Sequence, residues 1–390
     1  LTGTASCVKP LAVQSLSKSK DILVSSFVQR DLFFMRRAIT LAEKAKGYTH
    51  PNPSVGAVVV KKGTIIAEGA TQRCGGPHAE AVALAKAGSR ARGSVLYVTL
   101  EPCCHYGRTP PCTDSIIASG VRKVFVACVD PNPLVNGKGI RALQRHGIEV
   151  TTGMLHDEAR RINEDFFWAI RRHTPWITVK LALTLDGRIA DSRGRSRWIT
   201  NTKARLFVHQ LRRKHAAIAV GKGTLLADNP RLTVRNGDQG AAPARIVFAS
   251  NPSVGQNTCF RKTAKTCRSI VVCPGGMKKQ KELADDGTLI WHTGAREIRP
   301  HLRAFAAMAY DEGLISIMVE GGQKLASSLL EAGMVNRLYL FYGNRLLGGG
   351  IHGILFRQPL SLKGAIALHQ PELIDFQGSF AVTGTLNRKE

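Results

Sequence analysis

The sequence predicts an α/β protein built as two successive layered domains, on three observations. The chain has 390 residues, more than one compact core usually holds. β-Branched runs alternate with helix-period segments along most of its length, the pattern of layered α/β structure. Thr174-Pro175 then splits the alternation into two series. Hydrophobic residues make up 44% of the chain, which excludes global disorder. No apolar run approaches the roughly 20 residues that a membrane helix needs. Nine cysteines are too sparse for a disulfide scaffold. Reduced thiols in a cytoplasmic setting are expected, and paired cysteines are tested for metal first.

In chain order, the first 30 residues are Ser-rich, hold Asp21 as their one acid and show no periodicity. They are expected to be a disordered tail or a targeting extension, with an organellar location if they are a transit peptide. A helical pattern starts at about Asp31 and runs through Phe33 to Ala45, where Pro51, Asn52 and Pro53 break it. Val55 to Val60 and Thr64 to Glu68 read as a hairpin, and Ala79 to Ala87 as an Ala-rich helix opening after Pro77. Val95 to Leu100, Val124 to Val129 and Glu149 to Thr152 read as strands, with helices at Cys112 to Ser119 and Gly139 to Arg145. The first domain is thus expected over 31–153. A charged amphipathic helix, His156 to Arg172, connects it across 154–174 to a second domain over 175–390. There, Trp176 to Leu183, Ala216 to Val220, Ala244 to Ala249, Ser269 to Cys273, Leu314 to Val319 and Arg337 to Tyr342 read as strands. Helices Thr202 to Lys214 and Gln323 to Ala332 lie between them.

Fifty-five Lys and Arg against 28 Asp and Glu give a net charge of +27, which predicts an anionic partner. No basic arm concentrates that charge, and no helix-turn-helix, RNP strip or zinc-finger spacing accompanies it. Phosphorylated metabolites fit at least as well as nucleic acid.

The sharpest chemical signal is in the first half. His78-Ala79-Glu80 is followed by Pro102-Cys103 and, after eight intervening residues, by Cys112. One imidazole and two thiolates are one ligand short of tetrahedral zinc, and a catalytic zinc keeps its fourth position open for water. Glu80, two residues beyond His78 at a helix start, lies near the metal without binding it and can move protons between that water and a leaving amine. His-x-Glu with Pro-Cys is the arrangement of zinc nucleobase deaminases. A Cys103–Cys112 disulfide, or Cys104 as the second thiolate, is the alternative reading of these residues. Glu101-Pro102 and the helix-start position of Cys112 favour the zinc set.

Here the chain resembles a known family. His78-Ala79-Glu80, the stretch from Thr99 to Cys112, Asp130-Pro131-Asn132-Pro133 and Asn136-Gly137-Lys138-Gly139 are similar to the deaminase half of the bifunctional riboflavin-biosynthesis deaminase/reductase family. The long spacer with Gly107-Arg108-Thr109-Pro110-Pro111 is characteristic of that branch. The resemblance implies a cytidine deaminase-like three-layer domain and substrate contacts at Asn52, His105, Arg108 and Asn132. The chemistry agrees, since Arg108 suits a ribose phosphate and Asn52 or Asn132 the pyrimidine edge.

In the second half no Rossmann Gly-x-Gly-x-x-Gly follows a strand. Two glycine junctions do: Gly221-Lys222-Gly223-Thr224 and Glu320-Gly321-Gly322, where a pyrophosphate could approach helix amides. Val179 to Arg188, Ser196 to Thr200, His209 to Arg212, Gly221 to Arg235 and Val319 to Gly322 are similar to the reductase half of the same family, itself related to dihydrofolate reductases. The resemblance implies a dihydrofolate reductase-like domain, with NADPH contacts at Ala182, Trp198, Thr224, Asp228 and Gly322. It implies substrate contacts at Lys180, Ser196, Arg212, Leu232, Arg235 and Glu320. Arg212 and Arg235 are expected to hold the phosphate, and Lys180, Asp228 and Glu320 to orient the ribose and supply a proton as hydride arrives. Ala249 stands where many relatives have Asp, and Asn229 where a second Asp often follows Asp228.

The expected function is therefore zinc-dependent deamination of 2,5-diamino-6-ribosylamino-4(3H)-pyrimidinone 5′-phosphate. NADPH-dependent reduction of the ribosyl chain to ribityl would follow. The phosphorylated pyrimidine is the expected partner, with no nucleic acid or membrane, in a homo-oligomer. The rivals are a deaminase with a degenerate second domain, argued against by Lys180, Asp228 and Glu320, and an RNA-binding or RNA-editing deaminase suggested by the charge.

Overall fold

The computed structural model describes residues 18–235, 242–275 and 280–386, with side chains from residue 29 onward. Helix α1 (Lys18–Ala45) begins well before the expected start at Asp31. Its anchor is the packed face of Phe34, Met35, Ala38, Ile39 and Ala42. Once that face is fixed, each earlier residue adds a backbone bond at little cost, and no Gly or Pro interrupts 18–30. Of the tail or targeting extension expected over 1–30, residues 1–17 lie outside the described residues. No helix among the described residues is long and apolar enough to cross a membrane.

The first half then runs β1 (Gly56–Lys61), β2 (Thr64–Ala70), α2 (Ala79–Ala87), β3 (Val95–Leu100), α3 (Cys112–Ser119), β4 (Lys123–Cys128), α4 (Lys138–Arg145) and β5 (Glu149–Thr152). They form one sheet in the order β2-β1-β3-β4-β5, with β3, β4 and β5 parallel. Two glycines set the helix spacing. A Cβ on Gly56 would meet the Ala38 carbonyl at 1.9 Å, and one on Gly69 the Ala79 carbonyl at 2.2 Å, so α1 and α2 press directly on β1 and β2.

The connecting segment is two helices rather than one, α5 (His156–Ile162) and α6 (Glu164–Arg172). Asn163 breaks the continuity because its side chain turns inward: Oδ1 accepts the Ser54 N–H and Nδ2 donates to the Ser54 carbonyl, each at 2.8 Å. A charged periodicity gives no sign of such a break.

The second half contains β6 (Trp176–Thr184), β7 (Arg188–Ala190), α7 (Thr202–Arg213), β8 (Ala217–Gly221), α8 (Lys222–Asp228), β9 (Ala244–Phe248), α9 (Cys259–Lys262) and β10 (Ser269–Cys273). It continues with β11 (Gln280–Leu283), β12 (Leu289–His292), α10 (Ile298–Asp311), β13 (Ser316–Glu320), α11 (Gln323–Glu331), β14 (Arg337–Gly343), β15 (Ile351–His352), β16 (Leu368–Asp375) and β17 (Ser379–Leu386). Ten strands form a sheet ordered β11-β12-β10-β9-β8-β13-β6-β14-β17-β16, parallel from β12 to β14 and antiparallel at both edges. Strands β9, β10 and β13 are buried at every residue, as parallel strands covered on both faces must be. The six strands expected from apolar runs all form. Strands such as β16 escape that criterion because the strand is mostly exposed, carries Pro371 and shifts register between His369 and Glu372.

His215, just after α7, lies between the Leu211 carbonyl at 2.7 Å and the Thr178 hydroxyl at 3.0 Å. Burial holds its imidazole down at about 4, against an ordinary value of 6.5. The unfolded chain therefore takes up this proton first, so stability is full above the ordinary value and is lost as pH falls toward about 4. His215→Gln is expected to flatten the dependence of melting temperature on pH in that window. An unchanged slope would remove His215 from the acid sensitivity.

Candidate active site

The first candidate site forms at the carboxyl ends of β3 and β4. Extended backbone at His78 starts α2, the chain leaves β3 through Glu101-Pro102 to Cys103, and Cys112 is the first residue of α3. His78 Nδ1 lies 3.5 Å from Cys103 Sγ and 3.3 Å from Cys112 Sγ, and all three atoms fall within 4.8 Å of one another. Zinc bonds of about 2.0 Å to nitrogen and about 2.3 Å to sulfur, at tetrahedral angles, place N and S about 3.5 Å apart. The donor set therefore fits zinc, and Cys104, whose Sγ points to the Leu134 carbonyl at 3.8 Å, stands outside it. Both cysteines are free thiols rather than a disulfide. The hydrogen bond from Cys112 holds the Cys103 thiol well below its ordinary value, with His78 acting in the same sense, and the Cys112 thiol is pushed up in turn. A cation between them removes that competition and lets both ionise.

Glu80 is 3% exposed, and burial, reinforced by the Cys103 charge, pushes its carboxyl up to about 7. Asn52, His78, Glu80, Cys103, His105, Arg108 and Asn132 line one cavity of about 270 Å³. Every contact expected on the deaminase side thus meets in one place. His105 Nδ1 is buried there without a hydrogen-bond partner, a polar atom that ligand can satisfy. Arg108 donates to Cys74 Sγ, and the Asn132 side chain accepts the Leu134 N–H at 3.0 Å.

Sequence reasoning missed Glu101. Its carboxylate is buried and accepts the N–H groups of Asp130 at 3.2 Å, Gly137 at 2.9 Å and Ile140 at 3.1 Å. It thereby ties the loop bearing Asn132 to the strand end bearing Cys103. Thr109 Oγ1, 3.4 Å from His78 Nε2, meets the ring nitrogen that faces away from the thiols, as outer partners of metal-binding imidazoles do. Only its place in the long spacer hinted at it.

The second site lies where neighbouring strands β8 and β13 send their helices in opposite directions, α8 toward β9 and α11 toward β14. Ligands of open α/β sheets bind in that kind of crevice. Gly321 and Gly322 have φ of 69° and 81°, and a Cβ on Gly322 would lie 2.9 Å from Thr224 Oγ1. This side-chain-free cradle at the start of α11 fits a dinucleotide phosphate.

The other expected residues fall into groups. Glu320 is buried beside Lys180 in strand register and receives a bidentate pair from Arg212 at 2.5 and 2.7 Å. Burial opposes its ionisation, but Arg212 and then Lys180 hold it below the usual carboxylate range. Burial lowers the half-buried Lys180, whose Nζ lies 5.5 Å from the centre of the Phe341 ring. Arg212 also donates to the Thr233 carbonyl at 3.1 Å, so its fork is engaged by protein groups rather than held out as a free cation. Ser196 donates to Asp228 at 3.3 Å, and Trp198 is exposed with the Arg205 guanidinium 4.5 Å from its ring centre. Leu232 is buried, the Arg235 N–H donates to His209 Nδ1 at 3.2 Å, and Ala182 faces Phe341 across β6 and β14. Asn229 caps α8 in a left-handed conformation, φ 41°, and accepts the Cys259 N–H at 2.7 Å, a role Asn fills well. Ala249 packs in a small apolar cluster with Leu225, Val254 and Phe260.

A family model described as "Cytidine and deoxycytidylate deaminase zinc-binding region" matches residues 28–128, and one described as "RibD C-terminal domain" matches 175–376. Riboflavin biosynthesis protein RibD of Aquifex aeolicus is 42% identical over 321 residues, 82% of this chain and 89% of that protein. The chain belongs to the RibD family. RibD of Escherichia coli is 40% identical over 353 residues, 83% of this chain and 90% of the relative. Solved structures agree: Acinetobacter baumannii RibD superposes with a TM-score of 0.82 at 32% identity, covering 93% of this chain and 100% of that one. A Thermotoga maritima diaminohydroxyphosphoribosylaminopyrimidine deaminase/5-amino-6-(5-phosphoribosylamino)uracil reductase gives 0.81 at 34% with the same coverage. Like other RibD proteins, the chain is a bifunctional enzyme of riboflavin biosynthesis. Its cytidine deaminase-like half uses zinc and its dihydrofolate reductase-like half uses NADPH.

Cys112→Ser is expected to lose most bound zinc, measured by elemental analysis of the purified protein, while Cys104→Ser keeps it. Full zinc in the first variant and loss in the second would exchange the two thiols.

Proposed function

We propose that the chain removes the 2-amino group of 2,5-diamino-6-ribosylamino-4(3H)-pyrimidinone 5′-phosphate and then reduces the ribosyl chain of the product to ribityl. The carrying observation is the 270 Å³ cavity into which His78 and Cys103 of the three-donor zinc set, the buried Glu80 carboxyl and the Arg108 side chain open. Zinc bound there supplies a water acidic enough to attack a ring carbon near neutral pH. Glu80, buried beside the donor set, would accept a proton from that water and return it to the departing ammonia. Asn52, His105 and Asn132 orient the pyrimidine, and Arg108 faces the phosphate. In the second half NADPH supplies hydride. Ala182, Trp198, Thr224, Asp228 and Gly322 hold the cofactor, while Lys180 donates the proton the opened sugar requires. Ser196, Arg212, Leu232, Arg235 and Glu320 form the sugar-phosphate site, with Glu320 and Arg212 fixing the place of Lys180. The enzyme acts in a cytoplasm-like compartment on this small substrate, and +27 serves attraction of a phosphate rather than of nucleic acid.

Residues 346–373 present Leu346, Leu355, Leu362 and Leu373 at 71%, 59%, 96% and 70% exposure beside edge strand β16. Exposed apolar side chains next to a strand edge suit contact with another chain, and a second copy is the occupant we infer. Leu362→Asp with Leu373→Asp should lower the mass found by sedimentation to that of a monomer; a wild-type monomer would overturn the inference.

Mass spectrometry of purified enzyme with the diamino substrate tests the reaction. Deamination adds about one mass unit, an amino group being exchanged for oxygen, and reduction then adds about two. Glu80→Gln should keep zinc and leave the substrate untouched. Lys180→Met should stall at the deaminated ribosyl intermediate. Stalling by wild type would instead point to a degenerate reductase half, and completion by Lys180→Met would remove that lysine from the mechanism.

A further inference from the structure

The stretch 46–54 runs from the end of α1 to the start of β1, and two of its residues, Asn52 and Pro53, line the zinc cavity. Its other contacts lie outside the deaminase sheet. Asn163, 2% exposed, grips both backbone groups of Ser54 at 2.8 Å. Lys46 makes a buried ion pair of 2.5 Å with Asp165, two residues further on. From the reductase half, the Arg213 carbonyl comes so near that a Cβ on Gly47 would lie 2.0 Å from it, and Gly47 has φ of 97°. His50 Nε2 lies 3.2 Å from the Lys214 carbonyl, and Arg213 sits over the Tyr48 ring. Phe166 of α6 reaches the cavity wall itself.

We infer that 46–54 is a substrate-positioning loop of the deaminase held by the break between α5 and α6 and by the end of α7, and that Asn163 is its principal positioning residue. A loop carries its own backbone polar groups into a partly buried place only if each is paired. The reciprocal bonds of Asn163 do this for Ser54, two residues from Asn52, and so fix where the Asn52 side chain enters the cavity. The same clamp splits the connecting segment into two helices, so the kink and the loop are one device. The last turn of α7 carries Arg212 toward Glu320 and Arg213 toward Gly47, so one helix end serves both sites.

The inference rests on the reading of the cavity as the deaminase site, and the test separates the two. In full-length, zinc-loaded enzyme, KM and kcat are measured for the diamino substrate and, separately, for reduction of the deaminated intermediate. Asn163→Ala should raise the deaminase KM about tenfold or more with kcat little changed, since loosening a contact made equally to substrate and transition state raises KM alone. Zinc content and reductase constants should stay at wild-type values. Asn163→Asp keeps the acceptor for the Ser54 N–H but loses the donor to its carbonyl, and should fall between. Gly47→Ala, pushing on the loop from the reductase side, should raise the same KM, and it carries the test alone if the Asn163 variants do not fold. Unchanged deaminase KM in the folded variants overturns the inference, as do zinc and reductase activity falling in step with it. Asn52→Ala is the control. If it raises KM while the Asn163 and Gly47 variants do not, the cavity reading stands and the positioning claim fails. If no variant, Asn52→Ala included, alters deamination, the cavity reading fails with it.

Discussion

Both halves are governed by the requirement that a buried parallel strand be followed by a covering helix. Such a strand pairs its backbone on both sides and buries apolar residues on both faces, so polar chemistry has room only at its carboxyl end. In the first half the ends of β3 and β4 deliver Cys103 and the Asp130 to Asn132 loop, while the starts of α2 and α3 deliver His78 and Cys112. In the second, the ends of β8 and β13 deliver the Gly221 and Gly321-Gly322 junctions. Two unrelated chemistries thus occupy the same kind of place in their sheets.

Buried charge is handled differently in the two places. Around the zinc donors, Glu80 and Asp130 are each pushed up to about 7, chiefly by burial, with the Cys103 charge adding to it. No cationic side chain among their perturbing neighbours offsets this except His78 at Glu80, so a metal ion suits the local balance. In the reductase half, Glu320 is matched within protein by Arg212 and Lys180, and the cluster is close to neutral once a further anion approaches. The first site is completed by a cation. The second already carries an excess of positive charge, with Arg235 and Arg231 near, and suits a phosphorylated ligand.

The halves are not simply tethered. The Asn163 kink, the Lys46–Asp165 pair and the α7 terminus converge on nine residues, 46–54, of which Asn52 and Pro53 wall the cavity of the first site. Arg337 on β14 adds a bidentate pair to Glu164 on α6 at 2.9 and 2.8 Å. Helix α6, just before Thr174-Pro175, packs toward both sides: Phe166 and Phe167 join the core of the first half while Glu164 pairs with Arg337 of the second.

What the sequence determined by itself was whatever depends on local spacing. Apolar runs such as Val95 to Leu100 and Ser269 to Cys273 became strands because β-branched residues buried on both faces have little alternative. His78, Glu80, Cys103 and Cys112 were legible because donor types at those intervals, beside helix starts, have one economical use. What only the tertiary structure decided was long-range and polar. Glu101 serves a loop about thirty residues away, Asn163 grips Ser54 from 109 residues away, and Arg212 closes on Glu320 from 108. A carboxylate that caps a loop and one that faces water have the same letter, and burial alone separates them. Sequence periodicity records which face of an element is apolar. It does not record which buried hydrogen bonds the fold must satisfy, because those partners are chosen only when the elements pack.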